Sequence, residues 1–182
     1  MPHTGRVLWH TTASLDGYIA GPGDDQDWVF DYVDPTDPDD ADVPARTGAV
    51  VAGRRSFEVG SRDAREVFDG AWSGPQFLLT HRAPGGLSDG IAVRSGDVRA
   101  VIAEALRAAG GKDVLLIGAD VARQCLAADL VDEIHVNVAP VLLGDGVRLR
   151  SAPGRRDLVL DDISRRGDVV SLRYRLDRRD PS

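Results

Sequence analysis

The chain has 182 residues, of which 42% are hydrophobic and 28% charged, a balance that fits one globular domain and excludes disorder as the global state. A net charge of −7 opposes binding to a nucleic-acid backbone, whose partners depend on concentrated basic charge. The lone Cys125 excludes an internal disulfide, and no apolar run reaches bilayer length, so a cytoplasmic protein with neither nucleic-acid nor membrane partners is expected.

Arg6 to Ser14 alternates, with Val7, Trp9, Thr11 and Ala13 on one face, and predicts the first strand. Leu15 to Gly23 holds three glycines and Pro22 and reads as a structured loop. Asp24 to Asp42 carries nine aspartates, with Trp28, Val29, Phe30, Tyr32 and Val33 forming a short amphipathic helix and the remainder a solvated loop. Gly48–Gly53, Gln76–Thr80 and Asp113–Gly118 are short apolar runs, the pattern of parallel strands covered on both faces. Between the last two, Val98, Val101, Ile102, Ala105, Leu106 and Ala109 keep helical spacing after an Asp97 cap and before Gly110-Gly111. A second helix is expected over Asp120–Ala128 and a strand over Asp132–Ala139. The last element is a hairpin, Leu158–Ser164 with Val169–Leu176. The expected whole is a single α/β domain over residues 1–177, a three-layer αβα arrangement with a mostly parallel sheet ending in an antiparallel hairpin, followed by a loose tail at 178–182.

In such sheets ligands lie beyond the carboxyl ends of the strands. Those ends read Gly53-Arg54-Arg55-Ser56, Thr80-His81-Arg82 and Gly118 with Asp120 behind it. Glycine permits close approach of a bulky anion, and a following helix start offers unpaired N–H groups. Side by side they suit a dinucleotide, and Arg54, Arg55 or Arg82 is available for a 2′-phosphate, which favours NADPH over NADH. Neither the G-x-G-x-x-G fingerprint nor a P-loop is present.

The strings Thr12-Ala-Ser-Leu-Asp-Gly-Tyr-Ile-Ala20, Gly53-Arg-Arg-Ser-Phe57, Leu79-Thr-His-Arg82, Leu130-Val-Asp-Glu-Ile-His135 and Ala139-Pro-Val-Leu-Leu-Gly-Asp-Gly146 resemble the dihydrofolate reductase family, in the branch similar to the C-terminal reductase domain of the bifunctional riboflavin-biosynthesis protein. The resemblance implies a dihydrofolate reductase-like fold, NADPH across the strand ends, and a homodimer, for which Val136–Val141 would supply the surface. It implies that Thr12, Ile19 and Ala20 border the nicotinamide and that Gly53, Arg54, Arg55 and Ser56 hold the pyrophosphate and adenosine ribose. Thr80, His81 and Arg82 would meet the 2′-phosphate and adenine, while Gly118, Asp120 and Val121 cover the pyrophosphate. Ile117 stands where the family carries the first of two adjacent glycines.

Reduction of a C=N or C=O bond needs a positioned hydride donor, exclusion of water and a proton source. Asp16 and Asp27 are the candidate catalytic carboxylates, and Trp28 and Asp31 the candidate substrate contacts, for a planar pterin or pyrimidine-like heterocycle. The acidic stretch holds no cation, which argues against a phosphorylated substrate. The alternative is a nucleotide-binding or sensory protein that keeps the fold without turnover. Cys125 reads as a packed thiol, and His3, His10, His81 and His135 lack metal-ligand spacing, so no metal is expected.

Overall fold

The computed structural model describes residues 5–32, 38–62, 66–82, 84–85, 87, 90–149 and 152–177. The proposed tail, 178–182, lies outside them. An eight-stranded sheet runs in the order β5-β4-β3-β6-β1-β7-β10-β9. Its strands are β1 (Val7–Ser14), β3 (Thr47–Gly53), β4 (Gln76–Leu79), β5 (Ile91–Arg94), β6 (Asp113–Ile117), β7 (Glu133–Ala139), β9 (Leu158–Arg166) and β10 (Val169–Leu176). All pairings from β5 to β7 are parallel, and β10 joins β7 antiparallel and closes the hairpin with β9. A two-stranded ribbon pairs β2 (Tyr18–Ala20) with β8 (Val147–Arg148).

The central strands are apolar on both faces because helices cover both. On one face α3 (Val98–Ala108) and α4 (Ala119–Ala127) bury Val101, Ile102, Ala105, Val121 and Cys125 against Val7, Val51, Val114 and Leu116. On the other, Val43 of α1 (Pro38–Arg46) joins Leu8, Val50 and Leu115, with Phe68, Trp72 and Ile117 packed around them. The expected Asp97 cap of α3 is present, its carboxylate accepting from Arg99 N at 3.0 Å.

The structure departs from the sequence reading in three ways. The acidic stretch contains α1 where a loop is expected, and the aromatic cluster forms only a short 3-10 turn, Asp27–Asp31. A helix, α2 (Arg54–Arg62), follows β3 directly, and β5 and the ribbon were not foreseen. The third concerns β7, which cannot supply an outer surface through Val136–Val141, because it is flanked by β1 and β10 and its Val136 and Ala139 are buried within the chain. Among the described residues the exposed large apolar side chains are Leu158, Val159, Leu160 and Ile163, grouped on β9, with Leu15, Phe30, Leu142 and Leu149 elsewhere.

Candidate functional site

The chain runs from β1 outward through β3, β4 and β5, then returns to insert β6 between β3 and β1. The strand order reverses there, and a crevice forms outside the carboxyl ends of the strands. A cleft of about 1080 Å³ occupies this place. It extends from Thr80, His81 and Gly96 beyond β4 and β5, past Gly53–Ser56 and Gly118–Asp120, to Ile19, Ala20 and the 145–148 segment.

Gly118 fixes the middle of the cleft. Its φ of 102° and ψ of 144° suit glycine alone, and a Cβ there would lie 2.2 Å from Ser56 Oγ. The first turns of α2 and α4 are thereby brought together. Among the described residues no side chain caps the start of α4, so its leading N–H groups face the cleft as a partial positive charge. Ile117 does not line the cleft; its side chain belongs to the Leu8 and Leu115 face of the sheet.

Four arginines stand on the cleft wall: Arg54, Arg55, Arg123 and Arg148. Arg54 pairs with Glu58 at 2.6 Å, Arg55 with Asp24 at 2.7 Å and Arg123 with Asp120 at 2.8 Å. Asp120 also accepts from Gln124 at 2.8 Å, and the Arg123 hydrogen bond outweighs burial to hold its carboxyl below the usual range. Arg148 sits over the Tyr18 ring, 4.5 Å from its centroid, and donates to Tyr18 Oη at 2.8 Å. The lack of cations in Asp24–Asp42 therefore says little about the ligand, since α2, α4 and β8 supply them.

At the far end the two most distinctive sequence strings interlock. Asp16 accepts from Ser14 Oγ at 2.6 Å, from Leu143 N at 3.1 Å and from Gly144 N at 2.8 Å. The Ser14 hydroxyl and these amides hold its carboxyl down to about 2. Tyr18 Oη donates to Gly144 O at 3.1 Å, and Leu149 N to Gly17 O at 2.9 Å. Gly146 is obligatory here, because its φ is 129° and a Cβ would meet Ala20 O at 2.1 Å. Asp16 thus clasps the ribbon that carries Ile19 and Ala20.

Of the sequence candidates, Ile19, Ala20, Gly53, Arg54, Arg55, Ser56, Thr80, His81, Gly118 and Asp120 share the cleft. Thr12, Arg82, Val121, Asp16, Asp27, Trp28 and Asp31 do not line it. Val121 is buried behind the wall, 3.2 Å from where a Cβ on Gly53 would stand. Asp27 and Asp31 are exposed, and the Trp28 indole N–H is buried with no hydrogen-bond partner among the described residues. The sequence reading missed Arg123 and Gln124, although their spacing from Asp120 on a helix would have located them. Arg148 had no such signal, being carried by a strand of two residues.

Elsewhere in the sheet His10 and His135 pair in register, with ring centroids 4.7 Å apart. Burial, then His135 and Arg173, push His10 down to about 3. Cys125 is fully buried, its thiol pushed up to about 12 by that burial. Among the described residues no group of three or more His, Cys, Asp or Glu could hold a metal ion, and no helix is long and apolar enough to cross a membrane.

The family model for the RibD C-terminal domain matches residues 87–172, from just before β5 into β10. A candidate riboflavin biosynthesis protein from Shewanella sp. PV-4 superposes with a TM-score of 0.80 at 24% identity, over 95% of this chain and 99% of that one. A diaminohydroxyphosphoribosylaminopyrimidine deaminase/5-amino-6-(5-phosphoribosylamino)uracil reductase from Thermotoga maritima gives 0.74 at 12%, with 95% of this chain spanning 57% of the other. Dihydrofolate reductase from Enterococcus faecalis, complexed with NADP(H), gives 0.63 at 14%, over 97% and 99% of the two chains. No curated protein matches the sequence. The fold is dihydrofolate reductase-like and related to the RibD C-terminal domain.

Proposed function

We propose that the cleft binds NADPH and that the protein is an NADPH-dependent reductase of a small planar substrate, a pterin or pyrimidine-like heterocycle or a related C=N or C=O compound. The observation that carries this reading is the Gly118 approach. It lets Ser56 of α2 pack against the start of α4 at a strand-order reversal, where a Cβ would strike Ser56 Oγ, and two helix starts so placed would suit a diphosphate. The neighbours support it: the Thermotoga maritima protein is a deaminase/reductase by name, and the Enterococcus faecalis enzyme is an NADP(H) complex.

NADPH, when bound, supplies the hydride. Gly53, Ser56, Gly118 and the first turn of α4 would receive its diphosphate, and Arg54 and Arg55 its 2′-phosphate side. Thr80 and His81 would flank the adenosine end. Ile19 and Ala20 would form an apolar wall at the reactive end and exclude water there. Asp16 serves this site as a clasp: with both carboxylate oxygens engaged and its carboxyl held near 2, it stays ionised at neutral pH and keeps the β2–β8 ribbon in place. Thr12, Ile117, Val121 and Arg82 would act from behind or beside the wall. Trp28, Asp27 and Asp31 would reach a substrate only from outside the cleft as it stands.

A cytoplasmic homodimer completes the reading, with a second copy covering the apolar face of β9 and β10. The engaged state of Asp16 favours the second reading, a nucleotide-binding protein without turnover. Oxidation of NADPH, followed by absorbance across a panel of pterins, pyrimidines, imines and ketones, separates the two. Turnover with any member is expected for the reductase; binding with no turnover across the panel supports the second reading.

A further inference from the structure

Arg54 and Arg55 open α2, and each guanidinium is gripped at Nε by a carboxylate. Glu58 Oε1 accepts from Arg54 at 2.6 Å and Asp24 Oδ2 from Arg55 at 2.7 Å. Their Nη1 and Nη2 groups make no hydrogen bond among the described residues. A guanidinium held at Nε has its end-on fork left over, two parallel N–H donors that match two oxygens of one phosphate. All four side chains line the cleft.

The two grips have different origins. Glu58 lies one helical turn beyond Arg54, so that pair is local to α2. Asp24 is 31 residues before Arg55, in the loop that follows β2. This loop is a formed turn: Gly23 and Asp24 have φ of 72° and 66°. Gly21 N donates to Asp25 O at 2.7 Å, and Asp27 N to Asp25 Oδ1 at 2.9 Å. Arg55 is 72% exposed, and an ion pair so exposed contributes little to stability. Orientation of the arginine is what remains for it to do.

We infer that Asp24 and Glu58 are positioning residues, which aim the terminal forks of Arg55 and Arg54 into the cleft as a paired receptor for the phosphate groups of the ligand. The inference rests on the coenzyme reading above and adds to it the residues that preset the anion receptor. Because Asp24 belongs to the turn next to Ile19 and Ala20, phosphate recognition on α2 is joined mechanically to the wall of the reactive end.

The test uses the intact protein, with inorganic pyrophosphate and NADPH as separate probes, titrated calorimetrically. Asp24→Ala is expected to weaken pyrophosphate by about three- to tenfold, the scale of losing one pre-ordered long side chain, with the melting temperature of the free protein lowered by no more than a few degrees, the cost of alanine at a positive φ. Asp24→Asn, whose amide oxygen still accepts from Nε, is expected to recover most of that loss. In an Arg55→Ala background Asp24→Ala is expected to add nothing. Unchanged or tighter pyrophosphate binding by Asp24→Ala would overturn the inference, since the carboxylate would then be a bystander or a competitor. If the wild type binds pyrophosphate in this Asp24-dependent way but not NADPH, the receptor stands and the coenzyme reading falls. If NADPH binds and neither Arg54→Ala nor Arg55→Ala alters its affinity, the coenzyme reading stands and the receptor falls.

Discussion

Gly118 holds a backbone conformation that an L residue adopts only under strain, and its missing Cβ is what lets Ser56 Oγ of α2 approach the start of α4. Gly118→Ala is therefore expected to cost about 1–3 kcal/mol of stability from backbone strain and to weaken NADPH beyond detection at concentrations that saturate the wild type. Urea unfolding and calorimetry check the two effects separately. His10 is the second residue with a direct consequence. Its folded value is about 3, below the 6.5 of an unperturbed imidazole, so between these limits the unfolded chain binds the additional proton. The stability contributed by neutral His10 is complete above pH 6.5 and declines as pH falls toward 3, by about 1.4 kcal/mol per pH unit. Urea melts between about pH 7 and pH 5 are expected to show stability falling with pH, and His10→Gln to reduce that fall without abolishing it, because burial also lowers His135.

At the scale of elements, α1 shows how tertiary contacts override composition. Its sequence is rich in aspartate and contains Pro44, yet the helix ends on an ion-pair anchor. Arg46 donates to Glu133 through Nη1 at 2.9 Å and Nη2 at 3.0 Å, and to Asp113 through Nε at 2.6 Å. Glu133 is 1% exposed. Burial opposes its ionisation, but Arg46, Arg173 and Arg6 more than offset that and hold it below the usual glutamate range. Glu133→Ala would leave these arginines facing an apolar gap, and a loss of about 3 kcal/mol in urea unfolding is expected, the scale of breaking a buried pair. This also marks the limit of what was legible in the sequence. Periodicity located β1, β3, β4, β6, α3 and the hairpin, because their burial pattern is written along the chain. It could not locate α1, held by partners dozens of residues away, or the β2–β8 ribbon, held by Asp16 and Gly146. The site followed the same division. Strand-end glycines and hydroxyls were readable from position alone, whereas Arg148 and the partners of Arg54 and Arg55 depend on which elements meet.

For the whole molecule, the parallel half of the sheet is sandwiched between helices, while its antiparallel end is not. Leu172 lies opposite Val136 and Ile163, and Tyr174 opposite Ile134 and Leu160, so the core face of β7 continues outward onto an exposed apolar surface at β9. The proposed homodimer would cover it, and Ile163→Asp is expected to convert the dimer to monomer in light scattering while leaving NADPH affinity within about twofold, because β9 is remote from the cleft. If the cleft across the strand ends is a coenzyme seat, calorimetric titration of the wild-type protein with NADPH and NADH will reveal it. One saturable site per chain, tighter for NADPH than for NADH, is expected. Absence of heat together with an unchanged melting temperature at millimolar NADPH would contradict it.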